Sequence, residues 1–211
     1  MSNRGIKTIR CPHCNYGFET EFWTVIRGDR DIDLKEMIIS GELNIFLCPE
    51  CKKAFNYDDT FIYMDPQAEL LIFVLPPDES KNEKLIARME KDYEILKETL
   101  RMEKELNSKP LYFFGIEKLS EFLIRDRDME EETDVIVFTG DSVGAKKRKI
   151  LSSFARENDL PFYVPSPEMD SGKEEVLELC KKIFAHNDRL KRLDNFIKFF
   201  ERNPEKEIPF V

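Results

Sequence analysis

Two tetrapeptides of one form, "CPHC" at residues 11–14 and "CPEC" at residues 48–51, constrain this chain more than any other feature. Alone, the first is compatible with a disulfide-exchange centre or with half of a metal site, because two intervening residues hold the thiols within bridging distance and can depress a thiol pKa. The second copy decides between them. Cys11, Cys14, Cys48 and Cys51 together are a soft, closed tetrahedral donor set that suits Zn²⁺ and leaves no vacant position for a substrate or an activated water. A thioredoxin-like centre needs a buried strand before its cysteines and a long helix starting at the first of them. Here "IKTIR" precedes and the Gly-containing "NYGFETEFW" follows. Iron, or another redox-active use of four thiolates, stays open, since the same donors suit it. His13 reads as a solvent-facing knuckle tip and not as a fifth ligand.

The gap from Cys14 to Cys48 is wider than the roughly 15–20 residues common between zinc knuckles, so the insert must fold. "FETEFWTVI" alternates as a strand, an acidic turn follows, and "LKEMIISGEL" reads as a short helix ended by Gly41. Beyond the second motif, "DTFIYM" and "ELLIFVL" form two strands across "DPQA", with Asp65 and Pro66 as turn residues. The expectation is a zinc-ribbon-like β domain over residues 5–77, small enough to need a staple.

Composition bounds the partners. The net charge is -9, with 36% charged residues, so the overall field favours neither nucleic acid nor an anionic membrane. Residues 1–77 hold 8 Lys or Arg against 12 Asp or Glu, which argues against a zinc-ribbon nucleic-acid surface. The longest apolar run, "LLIFVLPP", is too short to span a bilayer and ends at two prolines. The start carries no signal-peptide pattern. A cytoplasmic protein is expected, and in a reducing compartment Cys-x-x-Cys pairs read as metal-binding or catalytic.

The arrangement of "CPHC", a long insert ending "SGELNIFLCPEC", the Tyr-x-Asp of "YMD" and an apolar strand resembles the CpXC domain family over residues 8–76. "FFGIEKLSEFLI" at 113–124 is similar to a segment that follows the domain in many members. The resemblance implies zinc binding by Cys11, Cys14, Cys48 and Cys51 and no particular activity. It also implies a mostly helical continuation, from which a strand at "DVIVFTG" would depart.

The remaining chain reads as α/β. Ser80 with Glu83 forms a capping-box pattern, and Ile86, Met89, Tyr93, Leu96 and Leu100 mark an amphipathic helix to about Asn107, within a helical linker over residues 78–109. Residues 110–204 follow as a small Rossmann-like α/β C-terminal unit. Its elements are "LYFFG" (strand), "IEKLSEFLIRD" (helix), "DVIVFTG" (strand), "AKKRKILSSFAREND" (helix), "PFYVP" (strand) and a long final helix capped by Ser171 with Glu174. The fold class expected is therefore α+β. Cys180 falls within the final helix's apolar stripe and reads as a buried thiol. His186 reads as exposed.

A strand ending in "FTGDSVGAKK" would put Gly140, Asp141, Gly144 and Lys146 at a helix N-terminus, a place that favours phosphate. The spacing is neither a P-loop nor Gly-x-Gly-x-x-Gly, and an ordinary strand-to-helix turn needs the same residues. Hydrolase, zincin and deaminase signatures are absent, and two histidines leave little for acid–base work. The leading expectation is a zinc-binding module acting through a protein partner or self-association by a β-hairpin or aromatic surface, with Phe22, Trp23, Phe61 and Tyr63 as the candidate aromatics there, although the pattern places most of them in the core. A nucleotide- or phosphate-dependent enzyme using Asp141 and Lys146 is the alternative from another class, and nucleic-acid binding the third.

Overall fold

The computed structural model describes residues 1–99 and 110–211. The elements in chain order are β1 (Asn3–Arg10), β2 (Gly17–Arg27), α1 (Ile32–Ile39), β3 (Ile45–Leu47), β4 (Ala54–Asn56), β5 (Phe61–Asp65) and β6 (Leu70–Leu75). A 3-10 turn (Pro77–Lys81) leads to α2 (Glu83–Thr99), then β7 (Leu111–Phe114) and α3 (Ile116–Ser142). The last elements are β8 (Lys146–Lys149), α4 (Ser152–Asn158), β9 (Tyr163–Ser166), α5 (Lys173–His186) and α6 (Lys191–Arg202). The chain divides into two compact units, Met1–Leu123 and Ile124–Val211, with the division falling inside α3.

In the first unit a five-stranded sheet runs in the order β1-β2-β5-β6-β7. The β5–β6 hairpin turns where "DPQA" predicts, and the Asp65 carboxylate accepts the Ala68 N–H at 3.0 Å. All six residues of β6 are buried, the pattern of a central strand covered on both faces. Leu70, Ile72 and Val74 join Ile26, Tyr63, Leu34 and Ile38 of α1, and Leu119 and Leu123 of α3. Leu71 and Phe73 join Met64 and the Tyr93 side chain of α2 on the other face. Each such aliphatic or Phe burial is worth about 1.5–3 kcal/mol. Helix α1 ends as expected at Gly41, whose φ of +75° lets the Glu42 N–H reach back to Met37 O and the Gly41 N–H to Ile38 O.

Several expectations are corrected. β7, predicted as the first strand of the C-terminal unit, pairs parallel with β6 in the first, because its Leu111 and Phe113 complete the apolar cluster around Ile72. Helix α2 begins two residues later than the Ser80 cap predicts: the Asn82 side chain accepts the Leu85 N–H. The predicted extension of that helix through Leu100 to Asn107 lies outside the described residues.

In the second unit "DVIVFTG" is not a strand; it is the last part of α3, as the family resemblance implies. Its inward positions, Met129, Thr133, Ile136 and Gly140, recur at helical spacing, while Val135 and Phe138 stay exposed. "AKKRKILSSFAREND" splits into β8 and α4, and β8 pairs antiparallel with β9. Among the described residues this unit holds no parallel strand pair, so the Rossmann-like expectation is replaced by helices packed around a two-stranded ribbon. Phe196, Phe200, Leu193, Val176, Ile183 and Cys180 close its core. The single final helix is two, α5 and α6, broken after His186 by extended backbone at Asn187. The cap of α5 is Gly172, whose N–H donates to the Glu175 carboxylate at 3.2 Å.

Candidate metal centre

Each Cys-Pro-x-Cys motif closes a hairpin in the same way. Beyond the Arg10–Gly17 pair that ends the β1–β2 ladder, the Cys11 N–H donates to Tyr16 O at 3.0 Å and the Asn15 N–H to Cys11 O at 2.9 Å. Beyond the Leu47–Ala54 pair of the β3–β4 ladder, the Cys48 N–H donates to Lys53 O and the Lys52 N–H to Cys48 O, both at 3.0 Å. Asn15 and Lys52, the residue after the second cysteine in each copy, both adopt positive φ, 58° and 56°. Proline fixes the backbone after the first cysteine. The β3–β4 hairpin was not anticipated from "NIFL" and "AFN". Its signal lay in the second motif itself, which needs a ladder on both sides to repeat the first.

The two knuckles face one another. Cys11 Sγ lies 3.7 Å from Cys51 Sγ, and Cys14 Sγ lies 3.6 Å from Cys48 Sγ. All four sulfurs lie within 4.8 Å of one another. Metal–sulfur bonds of about 2.3 Å at tetrahedral angles give sulfur–sulfur edges of about 3.8 Å, whereas a disulfide would bring a pair to about 2.05 Å. Two sulfur pairs therefore lie near the edge length of a tetrathiolate cage, and the cysteines form no disulfide.

The cage is half sunk. Cys11 and Cys48, the first cysteine of each motif, are buried; Cys51 is half-buried and Cys14 exposed. Beneath them Ile9, Phe22 and Phe55 pack with Phe18, Phe46 and Tyr57, and the Phe22 and Phe46 rings meet at 4.7 Å. Burial works against ionising Cys48, yet the Cys51 and Glu50 amides, with the Cys14 and Cys51 thiols beside it, hold it down at about 7. At Cys14 the Tyr16 amide favours the thiolate, but lost hydration and the sulfurs of Cys48, Cys51 and Cys11 push it up to about 12. Four thiolates this close would repel one another unless a cation lay among them, so the cluster is compatible with a metal site. Among the described residues this is the one cluster of potential metal-ligating side chains. His13 is exposed, its ring edge-on to Phe55, and takes no place in it.

Of the other predicted site residues, Gly140, Asp141, Gly144 and Lys146 stand at the end of a helix and not at its start. The Ala145 N–H returns to Gly140 O and the Gly144 N–H to Asp141 O, with Gly144 at φ +77°, the same helix stop as at Gly41. That end of a helix presents carbonyls and partial negative charge, so it does not favour phosphate. Gly140 has a packing reason instead: a Cβ there would lie 2.8 Å from Cβ of Pro165. Phe22, Phe61 and Tyr63 are core residues, and Trp23 is half-buried with the Arg4 guanidinium 4.1 Å above its ring. Cys180 is buried, its thiol pushed up by desolvation, and His186 is exposed.

Matched knuckles that bring four thiols into one cage place the chain among the paired Cys-Pro-x-Cys proteins. It belongs to the CpXC family, whose model, described as CpXC protein, matches residues 9–134. No curated protein and no solved structure matches the chain.

Proposed function

We propose that Cys11, Cys14, Cys48 and Cys51 hold one Zn²⁺ as a structural staple, making the knuckle end a zinc-ribbon-like module that serves protein–protein interaction in the cytoplasm. The observation that carries this reading is the cluster of four sulfurs on two matched knuckles, all within 4.8 Å of one another and two pairs of them at 3.6 and 3.7 Å. The donors fit the ion: four soft sulfurs, no carboxylate or imidazole among them, and backbone amides that favour the thiolate at Cys48. When bound, Zn²⁺ supplies a cross-link and charge neutralisation. No open coordination position remains for catalysis.

An interaction role is supported by the outer face of the β3–β4 hairpin. Phe46 and Phe55 turn inward onto the cluster below the cage, while Ile45 and Leu47 on the opposite face are large apolar residues left exposed. The hairpin lies outside the five-stranded sheet, so the staple sets how it presents that face.

Elemental analysis of protein purified without added metal, with thiol titration before and after chelation, tests the reading. One zinc per chain, with four thiols that become reactive only on chelation and no metal in Cys48→Ser, is expected. Iron in place of zinc, or no metal with Cys11 and Cys14 cycling between dithiol and disulfide, would overturn it.

A further inference from the structure

The five-stranded sheet leaves two edges, and they are unlike. β7 is four residues long and half-buried throughout. β1 is eight residues long and exposed along most of its length, with Ile6 at 75% exposure. A long edge strand with an exposed apolar side chain is a template for another strand.

The register of the β1–β2 ladder says which groups that edge offers. In an antiparallel ladder successive residues alternate between turning their N–H and C=O toward the neighbouring strand and away from it. The Cys11 N–H reaches Tyr16 O, so Ile9, Lys7 and Gly5 also turn toward β2. Arg4, Ile6, Thr8 and Arg10 then present their amides and carbonyls to the open side.

We propose that a second copy of this chain pairs with that edge, β1 antiparallel to β1 about a two-fold axis at Ile6, so that the two sheets become one. Ile6 faces Ile6 of the second copy as a hydrogen-bonded pair, and Arg4 faces Thr8 on either side. Charge disfavours the shift by two residues in one direction, which sets Arg4 opposite Arg10 and Lys7 opposite Lys7, since like charges directly opposite are destabilising. The shift in the other direction, with Gly5 on the axis, sets each Ile6 opposite Arg4 and so separates the two exposed apolar side chains. In the proposed register no like charges meet. Two cations that would guard the edge are already engaged within the chain, Arg4 with Glu21 at 2.7 Å and Lys7 with Asp59 at 2.8 Å. Thr8 stands opposite Glu19 in its own hairpin, so each Arg4 gains a carboxylate one strand beyond its new neighbour. The two exposed Ile6 side chains, the apolar members of an otherwise polar outer row, cover one another.

Sedimentation velocity of the metal-loaded full chain from about 1 µM to about 500 µM tests this, alongside Ile6→Pro and Ile6→Lys. Proline at this position removes an N–H that faces the open edge and none that bonds β2. Lysine keeps the strand and places like charges on the axis. A concentration-dependent monomer–dimer equilibrium is expected, weakened by about tenfold or more in each variant, with metal content and thermal unfolding unchanged. If Ile6→Pro alters unfolding, Ile6→Lys alone decides. A monomer across the whole range, or a dimer that Ile6→Lys leaves intact, overturns the proposal. Neither result touches the metal reading, which elemental analysis decides separately.

Discussion

Around Cys11 and Cys48 the buried apolar residues are Ile9, Phe22 and Phe55. In the second unit Phe196, Phe200, Leu193, Ile183, Val164 and their neighbours close a continuous core, and Asp126 and Arg156 form a bidentate ion pair within it. The knuckle cluster is small for ordering its own turns by burial, so its stability should depend on any ion that the four sulfurs hold. The second unit needs no such ion. Losing the donor set should therefore hurt one end of the chain and spare the other.

The largest expected effect breaks that comparison most directly. In Cys48→Ser, or after chelation, amide-exchange protection over residues 9–18 and 45–56, the two hairpin ends that carry the knuckles, should collapse while protection over residues 150–200 persists. Structural zinc in zinc-finger peptides is worth about 10–16 kcal/mol, enough to decide whether so small a cluster stays ordered. Uniform loss along the chain would show that the two ends unfold as one. Next comes the second unit's own weak point: Asp126→Asn leaves the Arg156 charge buried without its carboxylate and should cost about 3–5 kcal/mol in denaturant unfolding, with metal content unchanged.

A matched pair sharpens the contrast at smaller scale. Gly28→Ala would drive a Cβ to 1.9 Å from the Tyr63 hydroxyl, and Gly140→Ala to 2.8 Å from Pro165. Each should cost about 1–3 kcal/mol, the first lowering the melting of the first unit and the second that of the other.

The smallest effect is electrostatic. Burial, with Glu117 and Asp78 nearby, raises the Asp58 carboxyl above its usual range. Its folded pKa exceeds its unfolded one, so the native state binds that proton more tightly and the charged form weighs against folding at neutral pH. Asp58→Asn should raise Tm at pH 7, and the gain should shrink as pH falls toward about 4. A gain that grows on acidification would reverse the assigned sign.

The first unit was far more legible in the sequence than the second, for identifiable reasons. Cysteine spacing, the alternation of "FETEFWTVI" and the hairpin across "DPQA" each carry a signal that local chemistry enforces. "DVIVFTG" carries two signals. Its β-branched run reads as a strand, yet the positions that α3 buries are Asp126, Met129, Thr133, Ile136 and Gly140, spaced by three and four. Asp126 and Thr133 disguised the stripe because they are polar: one is held by Arg156 and the other accepts the Phe162 N–H. From that one misreading followed the inverted helix end at Gly144, although "SGEL" and "SVGA" end helices by the same bonds. The parallel pairing of β7 with β6 depends on a partner dozens of residues away and leaves no local trace.

The unequal depth of the four thiols bears on time as well as on affinity. Cys11 and Cys48 are enclosed by aromatic rings, while Cys14 stands in solvent with Cys51 half-covered. For any cation the cage holds, a chelator or competing ion meets the outer pair first, and the inner pair retains its grip until that side has opened. Exchange is then gated by the turns at Asn15 and Lys52. Substitutions there should change how quickly an ion is traded more than how tightly it is kept.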